Sequence, residues 1–392
     1  MSQRLINHSP DLKKLRDDGY EVAIRGTFLV IGHVPYVTPE CQVAYGQLVS
    51  ELTLAGDRTA RPSSHVAMFT GSTPCDQSGG PLTPLINSST QTVIGDGITI
   101  NYTFSSKPAA GYADYYEKMT TYVAILGKYA GALDSSATAT TFKPTVNDDD
   151  DNDEAFHYMD TASSRAGISA ITAKLATGPI AIVGLGGTGS YILDLMAKTP
   201  VREIHLWDGD RLLQHNAFRM PGAPPLAALT EQPYKTEYLS SIYSNMRRAI
   251  ISHPEFVSVE NIEQVVASDF VFLAMDSNAA KRTLIKRLEA AHRAFVDVGM
   301  GVHQIDSNLG GLLRVTTSSP ERPGSVSPRI SFGGSEHQAY ATNIQIADLN
   351  ALAASLAVIR WKKYVGFYSD LEREHHSTYQ IDGNEITNED RW

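Results

Sequence analysis

Cysteine is almost missing from this chain: there are two in 392 residues, Cys41 and Cys75, and neither belongs to a CxxC pair. That excludes a disulfide framework, argues against a structural zinc, and fits a reducing cytoplasm. Positive charge is also scarce, with 33 Lys and Arg against 43 Asp and Glu and a net charge of −10. Phosphate backbones and anionic lipid would be repelled, so neither nucleic acid nor membrane is an expected partner. No apolar stretch lies within Met1 through Tyr20, so no secretory leader is read there. The longest uncharged run, Leu175 to Leu193, holds Pro179 and five glycines and divides into a strand and a helix instead of spanning a bilayer. What the chain does have is 42% hydrophobic residues over a length that suits two domains.

A compositional break marks where they divide. Residues Asn147 to Glu154 carry six acids in eight positions, a run that repels itself and stays solvated. It reads as an interdomain linker, at 146–160, in preference to a metal-binding cluster. Before it, residues 1–145 read as a small α+β domain. A helical stretch (Asp11 to Asp18) leads into strands at Thr27–Ile31, Val66–Phe69 and Gly97–Phe104. A helix from Tyr112 to Tyr129 then places Tyr115, Met119, Tyr122, Val123 and Leu126 at the helical period. His33, Cys41, His65 and Cys75 are spaced too irregularly for a zinc set, so they read as buried or loop residues.

After the linker, residues 161–392 alternate strands and helices, which predicts a doubly wound, mostly parallel Rossmann-like sheet. Strands are expected at Pro179–Gly184, Glu203–Trp207, Phe256–Val259, Phe270–Met275 and Ala294–Asp297, and a long helix within Thr342–Val365. An Asp-Gly near the end suggests a hairpin.

The chemistry-bearing motif is Gly184-Leu-Gly186-Gly187-Thr-Gly189, a GxGxxG directly after a strand. Glycines there let the backbone approach a phosphate and turn a helix N-terminus toward the anion. Asp208 lies nineteen residues beyond Gly189 at the end of the next strand, where its carboxylate can accept from ribose hydroxyls. Dehydrogenases share this much, but they do not share the residues further along the chain: Asp210, then Asn216-Ala-Phe-Arg219, then Lys235, then Asp276 in Asp-Ser-Asn-Ala-Ala-Lys-Arg.

In that order of motifs the chain resembles the ThiF, MoeB and ubiquitin-activating-enzyme superfamily across about residues 165 to 365. The resemblance implies ATP- and Mg²⁺-dependent adenylation of the C-terminal glycine carboxylate of a ubiquitin-like protein, a homodimer, and hand-over to a conjugating enzyme. It implies that Asp208 holds the ribose, that Asn216, Arg219 and Lys235 contact phosphates, and that Asp276 binds Mg²⁺, with Asp210 supporting the loop. A capping role for Asn216 stays open. The same chemistry serves sulfur-carrier activation in cofactor biosynthesis, and a nucleotide-binding scaffold without turnover is the reading from another class.

The chain lacks both the zinc-binding CxxC pairs and the catalytic cysteine that many members of the superfamily carry, since Arg165 to Trp392 contains no cysteine. Three routes remain for the adenylate: direct hand-over to another protein, a thioester on Cys75 from the amino-terminal domain, or an oxyester. Arg314 to Arg329, rich in Ser, Thr and Pro, reads as a loop in the crossover position, with Ser318 as candidate nucleophile, although such residues are ordinarily turn formers. The amino-terminal domain is expected to recruit the modifier or its conjugating partner.

Overall fold

The computed structural model describes residues 2–95, 97–144, 155–276, 279–322, 329 and 344–388. The chain divides into two compact units, Met1–Asn152 and Asp153–Trp392. The acidic run at 147–154 lies outside the described residues. No helix among the described residues is long and apolar enough to cross a membrane.

The first unit opens with α1 (Ser2–His8) and α2 (Pro10–Asp17), followed by strands β1 (Val22–Arg25), β2 (Phe28–Val37), β3 (Val43–Glu51), β4 (Leu54–Ala55), β5 (Arg58–Thr59), β6 (Ala67–Thr70), β7 (Ile86–Ser88), β8 (Thr92–Gly95), β9 (Ile98–Ile100) and β10 (Tyr102–Phe104). Six of them form an antiparallel sheet in the order β1-β2-β3-β6-β10-β7. The stretch expected as one strand at 97–104 is two, because β9 pairs with β8 while β10 pairs with β6 and β7. Helix α3 (Tyr115–Leu133) is capped by Asp114, whose carboxylate accepts from the Glu117 amide at 2.8 Å. The five residues predicted on its apolar face are all buried against the sheet.

In the second unit α4 (Thr161–Arg165) and α5 (Ser169–Thr172) lead into β11 (Ile180–Val183), α6 (Gly187–Met196), β12 (Ile204–Trp207), α7 (Leu226–Glu231), α8 (Lys235–Tyr243), β13 (Ile250–His253), α9 (Ile262–Val266), β14 (Phe270–Leu273), α10 (Ala279–Ala290), β15 (Ala294–Ile305), β16 (Asn308–Ser318), α11 (Ala347–Tyr364), β17 (His376–Gln380) and β18 (Glu385–Asn388). The sheet order is β13-β12-β11-β14-β15-β16-β17-β18; the first five strands are parallel and the rest antiparallel. Every residue of β11 and β14 is buried, as a parallel sheet covered on both faces requires. Alternate residues serve opposite faces. Ile180, Ile182, Leu206 and Phe272 pack under α6 and α11, while Ala181, Val183, Trp207 and Leu273 pack under α9 and α10.

Two expectations need correction here. The edge strand is Ile250–His253, not Phe256–Val259. Pro254 cannot donate to a ladder, so pairing stops before it and Phe256 is left 65% exposed. Arg314 to Ser318 is not loop but the end of β16, paired on one side with β15 and on the other with β17. Residues 323–328 of that segment are outside the described residues. The expected hairpin around Asp382-Gly383 forms between β17 and β18.

Candidate functional site

The turn after β11 is built on glycine for three separate reasons. Gly184 has φ +88°, and a Cβ there would stand 2.6 Å from the Ala274 carbonyl oxygen. A Cβ at Gly187 would meet Asn350 Nδ2 at 2.0 Å, and one at Gly189 would meet the Gly184 carbonyl oxygen at 1.8 Å. At Gly186, by contrast, a Cβ would meet nothing within 4 Å, so this position opens onto space. Gly186 is also the N-cap of α6 and brings no side chain to the free amides of the first turn. Those amides are offered to whatever occupies the cleft.

That cleft, of about 200 Å³, lies at the carboxyl ends of β11, β12 and β14, where doubly wound sheets bind ligands. Gly184, Gly186, Asp208, Asp210, Arg219, Lys235 and Asp276 all line it. Asp208, 7% exposed, accepts from the Leu185 amide at 2.6 Å through Oδ2 and from the Asp210 amide at 2.8 Å through Oδ1. It therefore fixes the glycine turn from below. Burial raises its carboxyl above the ordinary range, opposed by the Lys235 ammonium and by these two amides. Lys235 Nζ donates to Asp210 Oδ2 at 2.7 Å and stands 3.7 Å from Asp208 Oδ1.

Asp276 follows β14 and is exposed at the cleft. Arg219 presents its guanidinium there, with Nε buried and without a hydrogen-bond partner. Nearby His215 is held below its ordinary range by burial first and then by the charges of Arg219 and Lys235. Asn216 is not a cleft residue: it is buried, and its Oδ1 accepts from the Leu213 amide at 2.8 Å, capping the turn Gln214–Phe218.

Neither nucleophile candidate is presented as an accessible side chain. Ser318 is 2% exposed in β16, opposite Phe295, and does not line the cleft. Cys75 belongs to the first unit and is 1% exposed, with Sγ 3.4 Å from the Thr73 carbonyl oxygen. Burial, and secondarily the negative charge of Asp76, push its thiol up, the reverse of what a nucleophile needs. Among the described residues no three His, Cys, Asp or Glu side chains are grouped to hold a metal.

Four contributors were missed by sequence reasoning. Trp207, Phe256 and Gln345 line the cleft, and Trp207 Nε1 and Gln345 Oε1 are buried without partners. Asn350, from the first half of α11, accepts from Thr188 Oγ1 at 2.9 Å and places Nδ2 3.4 Å from the Arg219 carbonyl oxygen. An amide within the apolar stretch Leu349 to Ala354 was the available signal for it.

Two family profiles match the chain: one described as a domain of unknown function (DUF6791) over residues 10–161, and one described as the ThiF family over residues 161–364. Similar solved structures include Escherichia coli MccB with ATP, at 16% identity, covering 56% of this chain and 66% of that one with a TM-score of 0.42. MccB of the same organism with AMPCPP and MccA gives 16%, 56% and 66% with a TM-score of 0.43. PaaA gives 13%, 71% and 95% with a TM-score of 0.43. The chain thus spans just under two thirds of those MccB chains. No curated protein matches it.

Proposed function

The chain belongs to the ThiF family through residues 161–364, and from that premise we propose that its second unit adenylates the C-terminal glycine carboxylate of a ubiquitin-like protein, using ATP and Mg²⁺, for delivery to a conjugating partner. The observation that carries this reading is the convergence of Asp208, Asp210, Arg219, Lys235 and Asp276 on one cleft beside the open Gly186. The buried, unpaired Trp207 Nε1, Arg219 Nε and Gln345 Oε1 support it, since such atoms cost free energy until a ligand answers them.

In the reaction a carboxylate oxygen attacks the α-phosphorus of ATP, the bond to the bridging oxygen breaks, and pyrophosphate leaves with the electron pair. Both reactants are anionic, so the protein's task is to neutralise and to align. The first-turn amides of α6 and the Arg219 guanidinium receive phosphate oxygens. Lys235, held between Asp208 and Asp210, offers its remaining N–H groups to the same charge. Each oxygen of Asp208 already accepts one amide and keeps a lone pair for a ribose hydroxyl. Phe256 and Trp207 form the apolar wall for the base. Asp276, an exposed carboxylate on the same cleft, would hold Mg²⁺, a cation that takes one or two carboxylates plus substrate oxygens and would supply charge neutralisation at the phosphates.

With no cysteine after Arg165 and with Cys75 and Ser318 buried, the acyl group of the adenylate passes directly to the partner protein, or to a serine hydroxyl as an oxyester, and AMP leaves. The first unit recruits the modifier or the conjugating enzyme, and the enzyme acts as a cytoplasmic homodimer. Intact-mass spectrometry of a candidate ubiquitin-like protein after incubation with enzyme, ATP and Mg²⁺ tests the central step. The carrier should gain an AMP group, and a carrier shorn of its terminal glycine should gain none; unmodified carrier despite demonstrated binding would reject the reading.

A further inference from the structure

The second unit holds another cavity, of about 420 Å³, at the opposite end of its parallel strands. Ser319 on its wall follows Ser318, which pairs with Phe295 at the start of β15, and Tyr364 on another wall packs its ring 5.6 Å from Phe270, the first residue of β14. The nucleotide cleft lies beyond the other ends of the same strands. The volume is in the range of small-molecule sites, and none of the ThiF-type motifs contributes to it.

Its charges are arranged unequally. Arg360 and Lys363, from the last turns of α11, both approach one oxygen of Glu374, Oε1, at 2.7 Å, and Lys363 is also 3.3 Å from Asp370. The two cations are therefore already engaged. They keep Glu374 ionised: burial alone would raise its carboxyl, but the Lys363 hydrogen bond and the Arg360 charge bring it below the ordinary range. The other oxygen, Oε2, is buried and has no partner, on a side chain that is 9% exposed. Ser319, 5% exposed, has a hydroxyl that is likewise buried and unpartnered. Glu321 adds an exposed carboxylate, and the Tyr364 ring lines the same space. Arg373, the cation left over, is exposed at the rim.

An ionised, buried oxygen without a donor, on a residue that lines the same cavity as an unpartnered hydroxyl and a second carboxylate, calls for a cation that brings several N–H groups. We propose that this cavity binds a small molecule bearing a primary ammonium group, which donates to Glu374 Oε2 and Ser319 Oγ while Glu321 and the Tyr364 ring face its charge. The engaged state of Arg360 and Lys363 argues against an anion in the same place.

Thermal unfolding of the full chain in putrescine or free lysine, against sodium chloride and sodium sulfate at equal ionic strength, tests this. A tenfold excess of amine over its dissociation constant should raise the midpoint by about 3 °C, and calorimetric titration should give one site per chain. Ser319→Ala and Glu374→Gln should each weaken amine binding tenfold or more, and Glu321→Gln severalfold. ATP affinity measured on the same samples should not change. Glu374→Gln strands two cations and can lower stability by itself, so Ser319→Ala and Glu321→Gln, which leave that cluster intact, decide the matter if it does not fold. Protection by sulfate and not by amine, no binding of either amine, or amine binding unaltered in all three variants would overturn the proposal.

Discussion

Asn350 and Thr188, 162 positions apart in the chain, share a 2.9 Å hydrogen bond that joins α11 to the glycine turn. The same amide reaches the backbone of Arg219, so one buried side chain aligns the two segments expected to hold phosphate. Asn350→Ala should lower ATP affinity about tenfold and stability by about 1–3 kcal/mol, the range for a buried polar group that loses its partner. Isothermal titration with ATP and urea unfolding measure the two effects. A variant that loses stability but binds ATP as the parent does would reject the positioning role.

The glycine turn offers a test in which stability and binding separate. Gly189→Ala forces a Cβ to within 1.8 Å of a backbone oxygen and should destabilise the protein by about 3 kcal/mol or more. Gly186→Ala meets nothing, so its melting temperature should stay within about two degrees of the parent. If the open space beside Gly186 is where phosphate lies, the same change should still cut ATP affinity by tenfold or more. Equal affinity in Gly186→Ala would place the phosphates elsewhere.

Lys235 and Asp208 make a pH-dependent prediction. Asp208 is buried, and Lys235 is the cation that offsets its desolvation. Lys235→Ala should destabilise the protein by on the order of 3 kcal/mol near neutral pH, as when one partner of a buried pair is removed. The carboxyl of Asp208 then rises further above its ordinary value of 3.8. In that window the folded state binds more protons than the unfolded state, so stability falls as pH rises. The deficit of Lys235→Ala relative to the parent should therefore shrink as pH is lowered toward 4. Denaturant midpoints across pH 4 to 8 check this, and a deficit constant with pH would contradict it.

Lys118 in the first unit is 2% exposed, bonds Ser50 Oγ at 2.8 Å and the Ser64 carbonyl at 2.9 Å, and is lowered to about 8 by burial. Between pH 8 and 10 the unfolded chain holds the proton longer than the folded one, so stability rises with pH in that interval. Lys118→Met should abolish the rise and stabilise the unit near neutral pH. A rise that persists in the variant would assign it to other groups.

How much of this could be read from sequence depended on the range of the interactions. Strand β11, the glycine turn, Asp208 at the end of β12 and the buried face of α3 arise from local period and local backbone demands, and they are where sequence put them. Asp210, Arg219, Lys235 and Asp276 also meet at one cleft. Asn216 carried two readings, and its bond to Leu213 is the capping one. What was lost depends on distant partners. Asn350 acquires its purpose from residues far back in the chain. Ser318 looked like loop chemistry because Ser, Thr and Pro crowd around it, yet β15 and β17 supply ladders on both sides of β16. Phe256 has a strand-former's side chain, but Pro254 two positions earlier ends the ladder and turns the ring out over Gly209.

Adenylation is read out by ATP–pyrophosphate exchange by the full chain with Mg²⁺ and a glycine-terminated ubiquitin-like protein, comparing the parent with Asp276→Ala. Exchange should require the carrier and fall at least a hundredfold in the variant, whose melting temperature should not change because Asp276 is exposed. Tight ATP binding without exchange, with a carrier shown to bind, would contradict adenylation, and exchange undiminished in Asp276→Ala would contradict the site.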